Sequence, residues 1–458
     1  MNKKLILVVV LSLLLMAVMA TSVGAQTTGV TYSVGVQIKN LDQANPANVT
    51  ITYYNQDGTS AGTLNLTGTN AIAAGSAKTY AVLEGVSAGF NGSAVISSDR
   101  QVAAIANVFG NGFSGMGASY TALANGASPV NIPLVFREHF GFNTWFNVQN
   151  AGSAETTVTV RFDNGTTQVA TVKPGAAATF DQKSNAALAD PAPTGNAGYV
   201  GSATITSSNN TPIVATLLQQ GPTTLLGFDG FLPSQASANP VMPLINTNNF
   251  GYITGIQIQN TGATATNVTI TYTPSQAGAA CTEMLSIAPA SSTTFALGAF
   301  GSTSGAAETC ANDARFVGSA RVTANSANMP LVAIVNQLNS PANKGASYGA
   351  FNSTLATQTV ELPLIMDRNF GYFTGFAIMN VGTTATTITC TYTGSSFTDS
   401  ASVAPGGALT VQNLNKLADK YVGAATCTST ASPIVGVVNE LGTLATSDSF
   451  LVYEGANR

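Results

Sequence analysis

One pattern recurs four times along this chain, and it limits the fold more than any other property. Asn40, Asn150, Asn260 and Asn380 each end an alternating strand pattern and precede a loop and a Thr-rich run. The spacings are 110, 110 and 120 residues. That is the length of a whole domain and too long for a solenoid turn or one propeller blade. The clearest copy is Phe250-Gly251-Tyr252-Ile253-Thr254-Gly255-Ile256-Gln257-Ile258-Gln259-Asn260. Phe370 to Asn380 and Phe140 to Asn150 follow the same aromatic-Gly-aromatic plan. The first copy keeps Ser33 to Asn40, and its lead-in reads as shortened or lost.

The remainder of each repeat is equally regular. Asn48 to Tyr53, Thr157 to Phe162 and Asn267 to Tyr272 alternate apolar residues with Thr, the period of a half-buried strand. Asp57-Gly58 and Asn164-Gly165 carry hairpin-turn chemistry, because Asp, Asn and Gly tolerate positive φ. Pro174-Gly175 and Pro405-Gly406 mark a later turn. A Gly-Ser-Ala-type strand follows at Asn91, Tyr199, Phe316 and Tyr421, and then an apolar run such as Pro330-Leu331-Val332-Ala333 that reads as a central strand. Before repeats two to four lies a short Pro-Leu strand: Ile132 to Val135, Met242 to Ile245, Leu362 to Ile365. Such a strand is free to complete the preceding domain in place of its own. About seven strands per 110 residues, with turns at regular intervals, predict a β-sandwich. Only Leu414 to Tyr421 suggests a helical turn.

The N-terminus reads as a secretory leader. Lys3-Lys4 precede an apolar run from Leu5 to Ala20, and Val23-Gly24-Ala25 suits a cut after Ala25. No later segment is apolar and long enough to span a bilayer as a helix. The predicted plan is all-β: a leader over 1–25, then four tandem immunoglobulin-like sandwiches over 26–125, 126–236, 237–357 and 358–458.

Charged residues make up only 8% of the chain, against about 25% in ordinary soluble proteins. The net charge is −4, and −6 once the two leader lysines are gone, so there is no basic footprint for nucleic acid. A surface of Ser, Thr, Asn, Gln and Gly repels weakly and suits close lateral packing. The four cysteines lie only in the last two repeats. Cys390 and Cys427 align with the apolar Ile270 and Val322 of the third repeat, so both sulfurs should face the core and bridge two strands. Cys281 and Cys310 are left to close a long insert in the third repeat. Zinc is disfavoured, since no C-x-x-C pair occurs and the one histidine, His139, is in another repeat.

The residues Asn150-Ala151-Gly152 with Val158-Thr159, Asn260-Thr261-Gly262 with Val268-Thr269, and Asn380-Val381-Gly382 with Ile388-Thr389 resemble bacterial secreted immunoglobulin-like repeats. They are similar to the cell-adhesion-related domain of bacterial surface proteins. The resemblance covers the first half of each repeat. It implies an extracellular β-sandwich array used in adhesion or envelope structure, and it supplies no functional residues.

Catalytic chemistry has little to stand on. His139 lacks a nucleophile elbow or partnered acid and reads as a surface-loop residue. Glu155, Asp163, Asp181 and Asp190 are scattered and turn-like, not a glycosidase pair. No cofactor is expected. Trp145, Phe142, Tyr252 and Tyr372, with Phe140, Phe250 and Phe370 of the same motifs, form a candidate sugar-stacking platform if exposed, with core packing the more economical account. The recurring asparagines are expected to cap turns. Asn336 and Asn439, polar within apolar strands, are expected to pair with adjacent loop backbone. The functional expectation is an exported, non-catalytic structural or adhesive envelope protein, a rod of four sandwiches that associates with itself or with other envelope proteins. A carbohydrate- or polymer-binding array is the alternative. The cysteine distribution and the shortened first copy give the array two different ends.

Overall fold

The computed structural model describes residues 7–11, 30–111, 115–188, 198–295, 300, 303, 305–326, 329–443 and 447–458. The lysines of the expected leader, the expected cut after Ala25 and Asp190 lie outside them. Every regular element longer than one 3-10 turn is a strand. Leu414 to Lys420 forms bends and a turn, so the helical turn expected there is absent. No helix of the described residues is long and apolar enough to cross a membrane.

Each repeat builds two sheets around a four-strand plan, which the second shows without additions. One sheet runs Thr167–Val172, Thr156–Phe162, Tyr199–Ser207, Val130–Arg137. The other runs Ala177–Asp181, Asn143–Asn150, Ile213–Gln220, Leu225–Asp229. Repeats three and four keep this order, extended at one sheet edge by Phe351–Asn352 and Ala456–Asn457 and, in the third, at the opposite edge by Ala307–Glu308. The alternation read from the sequence is the burial alternation: in Thr156–Phe162 buried residues alternate with outward Thr157, Thr159 and Arg161. The apolar strands Val102–Gly110, Ile213–Gln220 and Leu331–Asn339 are buried almost throughout, as central strands are.

The lead-in strand belongs to its own repeat. Pro240–Thr247 pairs with Phe316–Ala324, and Thr359–Asp367 with Tyr421–Ser429. The idea that it completes the preceding domain is overturned. Its proline has a clear local consequence. With no N–H to give, Pro243 and Pro363 force a register shift between Met242 and Ile245 and between Leu362 and Ile365. The bulge would strand the next residue's polar groups. A buried tyrosine resolves this: Tyr348 Oη accepts from Leu244 N at 3.3 Å and donates to Leu244 O at 2.7 Å. Tyr453 makes the same pair of bonds to Leu364.

The recurring asparagines do more than cap a turn. All four are fully buried. Asn260 Oδ1 accepts from Gly262 N at 2.9 Å, while its Nδ2 donates to Thr264 O at 2.8 Å and Ile287 O at 3.2 Å. Asn150 and Asn380 repeat the set with Gly152, Ala154 and Val172, and with Gly382, Thr384 and Val403. Asn40 holds Asp42, Asn45 and Ile72. Each amide thus folds its own loop and ties one sheet to the edge of the other.

The residues group into two compact units, Met1–Val130 with Val135–Pro233, and Asn131–Leu134 with Ser234–Arg458. Repeat one and most of repeat two make up the first, and repeats three and four, with residues 131–134 of the second repeat's lead-in strand, the second. Both disulfides form as the alignment suggested. Cys390 lies directly opposite Cys427 on neighbouring strands, and Cys281 joins Cys310 across 29 residues.

Candidate functional site

Within each unit the two repeats meet in the same way. Met116–Thr121 of the first repeat runs alongside Leu225–Asp229 of the second, and Lys344–Gly349 alongside Phe450–Glu454. These edges are not joined by a backbone ladder. A carboxylate reaches across instead: Asp229 accepts from Thr121 N at 2.9 Å, and Glu454 from Gly349 N. Asp448 adds a bond from Gly345 N at 2.8 Å. On the other side of the contact, Ser93 donates to Gly175 O and Ser319 to Gly406 O. Aromatics fill the space between: Tyr32 meets Trp145 edge to face at 6.1 Å, and Tyr252 meets Phe450 at 5.5 Å. Tyr32 holds the position of Tyr252, eight residues before the recurring Asn, so the first repeat keeps more of the lead-in than its sequence suggests.

These contacts locate the residues expected to bind sugar. Trp145 is 5% exposed and Tyr372 7%, so neither offers a face to a ligand. Phe142 and Tyr252 are half-buried. These four are therefore core and repeat-to-repeat packing. The exposed aromatic is the other member of each motif. Phe140, Phe250 and Phe370 are 59%, 84% and 94% exposed.

Their backbone explains why. His139 and Phe142 exchange both N–H···O bonds, at 3.2 and 2.8 Å, as do Asn249 with Tyr252 and Asn369 with Tyr372. Each pair closes a two-residue hairpin turn. Its central residues both have positive φ, 48° and 81° in Phe140-Gly141, 50° and 85° in Phe250-Gly251, 48° and 80° in Phe370-Gly371. Such a turn favours Asn-Gly. A phenylalanine in the left-handed region costs about 1 kcal/mol, and its exposed ring gains nothing from the core. The same unfavourable choice appears three times. In one copy the Arg315 guanidinium lies 5.0 Å from the Phe250 ring centre.

A cavity of about 300 Å³ opens in the first unit. Trp145, Asn143, Asp181, Lys183, Gln220 and Gly141 contribute to its wall. Trp145 Nε1 is buried there without a hydrogen-bond partner. Burial raises the Asp181 carboxyl, against the opposing effect of the Lys183 N–H and charge.

The remaining candidates have structural uses. His139 stacks on Phe136 at 5.4 Å, and burial lowers its pKa. Asp163 accepts from Tyr199 Oη and Ser202 N, while Glu155 stands exposed elsewhere. Among the described residues no three His, Cys, Asp or Glu side chains are placed to share a metal ion. Asn336 accepts from Ser347 Oγ at 2.6 Å, and Asn439 exchanges bonds with Gln337 of the third repeat at 3.4 Å. Both partners are side chains on strands, not loop backbone, so that expectation is corrected.

No known protein-family profile matches the sequence, and no curated protein does. Among solved structures the chain aligns with a tetra-tandem repeat from the extending region of a large adhesion protein. The alignment covers 92% of this chain and 94% of that one at 12% identity, with a TM-score of 0.13. A score that low does not establish a common fold.

Proposed function

We propose that this chain is an exported, non-catalytic cell-envelope protein that works by adhesion and association through its β-sandwich repeats. The observation that carries the reading is the set of exposed phenylalanines, Phe140, Phe250 and Phe370, held on identical strained turns. Exposed aromatics at rigid tips are the residue type that anchors protein contacts. The low charge, the disulfides, the leader-like N-terminus and the resemblance to adhesion-related surface repeats all support an extracellular setting.

The test is a triple variant, Phe140→Asn, Phe250→Asn, Phe370→Asn. Asn-Gly suits the turn, so the variant should melt at the same temperature or higher, by up to about 1 kcal/mol per turn. Its retention on the cell surface and its self-association should fall at least tenfold. Undiminished association would sink the proposal.

A second reading, binding of a glycan or other polar polymer, is favoured by the cavity beside Trp145 with its amide, carboxylate and ammonium side chains. Glycan-array binding abolished by Lys183→Ala would support it. An array without hits would dismiss it.

A further inference from the structure

The first repeat differs from the others in where its lead-in strand comes from. In repeats two to four the Gly-Ser-Ala strand is flanked by Val130–Arg137, Pro240–Thr247 and Thr359–Asp367. In the first repeat the same place, alongside Gly92–Ser98, is taken by Leu7–Leu11 of the leader. The register is the same. Leu11 lies opposite Ala94 as Met242 lies opposite Ala320 and Leu362 opposite Ala425.

The lead-in place is no optional edge. Ile132, Met242, Ile245, Leu362 and Ile365 are all fully buried. The first repeat also retains the residue that receives the strand. Gly117-Ala118-Ser119-Tyr120 repeats Gly345-Ala346-Ser347-Tyr348, so the buried Tyr120 stands where Tyr348 clasps the lead-in backbone. Only six residues separate the expected cut from Tyr32, and they hold no apolar Pro-Leu run.

We infer that the exported first repeat is a strand acceptor, completed in trans by an extended, uncharged apolar segment of another protein. The inference rests on the export reading, in which the leader is removed. A second copy cannot be the donor. Among the described residues each mature chain has four such places and three lead-in strands, so any number of copies leaves one place per chain unfilled. The donor must match what fills the other places: a run of about five residues such as Leu-Val-Val-Val-Leu or Val-Asn-Ile-Pro-Leu. Strand addition of this kind takes affinity from the backbone ladder and specificity from alternate side chains.

The test uses the chain as a secreting host releases it, with its N-terminus determined by mass. Amide exchange is then followed over 92–98, with 318–324 as internal control, before and after adding a synthetic peptide of residues 5–14. The expected result is a terminus near residue 26, exchange over 92–98 at least a hundredfold faster than over 318–324, and saturable protection by the peptide. Tyr120→Phe should weaken the peptide several-fold while 318–324 stays protected. A cut chain whose 92–98 amides are already as slow as the control overturns the inference alone. So does a cut chain whose 92–98 amides are not slowed by the peptide. An uncut leader overturns the export reading with it.

Discussion

Single side chains carry much of this fold's definition. Removing the Asn260 amide would leave Ile287 O without this partner in a buried place and would free Gly262 N and Thr264 O at its half-buried margin. Asn260→Ala should therefore cost about 3 kcal/mol in denaturant unfolding of its unit. Asp367 is a second case. Burial on its own would raise its carboxyl, but bonds from Leu417 N, Arg368, Lys416 N and Asn415 N outweigh that and hold it below the usual carboxylate range. A depressed folded pKa gives stability that is complete above the unfolded value, about 4, and is lost as pH falls through the folded one. The gap in unfolding midpoint between native chain and Asp367→Asn should be largest near neutrality and close on acidification below about pH 4. At this scale the sequence was only partly legible. The recurrence of Asn was plain, but not that its amide spans two sheets. The aromatic-Gly-aromatic motif hid which ring faces out, because a left-handed phenylalanine leaves no mark in a pattern of apolar and polar letters.

At the scale of strands and bridges the reading was fuller. Period-two alternation located most strands, and aligning repeats placed Cys390 and Cys427 on facing inward positions. Their loop of 37 residues makes the bridge worth roughly 3–4 kcal/mol in the chain-entropy picture. Cys390→Ala with Cys427→Ala should lower the unfolding free energy of the second unit by about that amount, less where the alanines leave a void. Calorimetry of oxidised and variant chains measures it. What stayed hidden was strand ownership. A Pro-Leu run preceding a repeat reads equally well as the end of one domain or the start of the next. The bulge at Pro243 and Pro363, and the tyrosines that accommodate it, decide the matter through long-range contacts.

For the whole molecule the described residues fall into two compact units, a grouping the sequence reading did not make. Repeats one and two share buried aromatics and a carboxylate-to-backbone contact, and so do three and four. Shared burial makes neighbouring domains unfold together, so scanning calorimetry should resolve two cooperative transitions and not four. The replacements Asp229→Ala and Glu454→Ala should broaden or split them. The signals were present but small: Asn48 to Tyr53 reappears letter for letter at Asn267 to Tyr272, and Gly117 to Tyr120 at Gly345 to Tyr348, two repeats on each time. A search for one period of about 110 averages over that difference.

The contact between Thr121 and Asp229, with its counterpart between Gly349 and Glu454, has a consequence for how such a chain can change length. The donor of the backbone N–H is always on one kind of repeat and the carboxylate on the other. Adding or deleting a single repeat would leave a surface without its mate. Growth by recombination is therefore constrained by parity: viable descendants should carry two, four or six repeats, and a three-repeat variant should be recovered only as an aggregate or as a pair of chains sharing the orphaned edge.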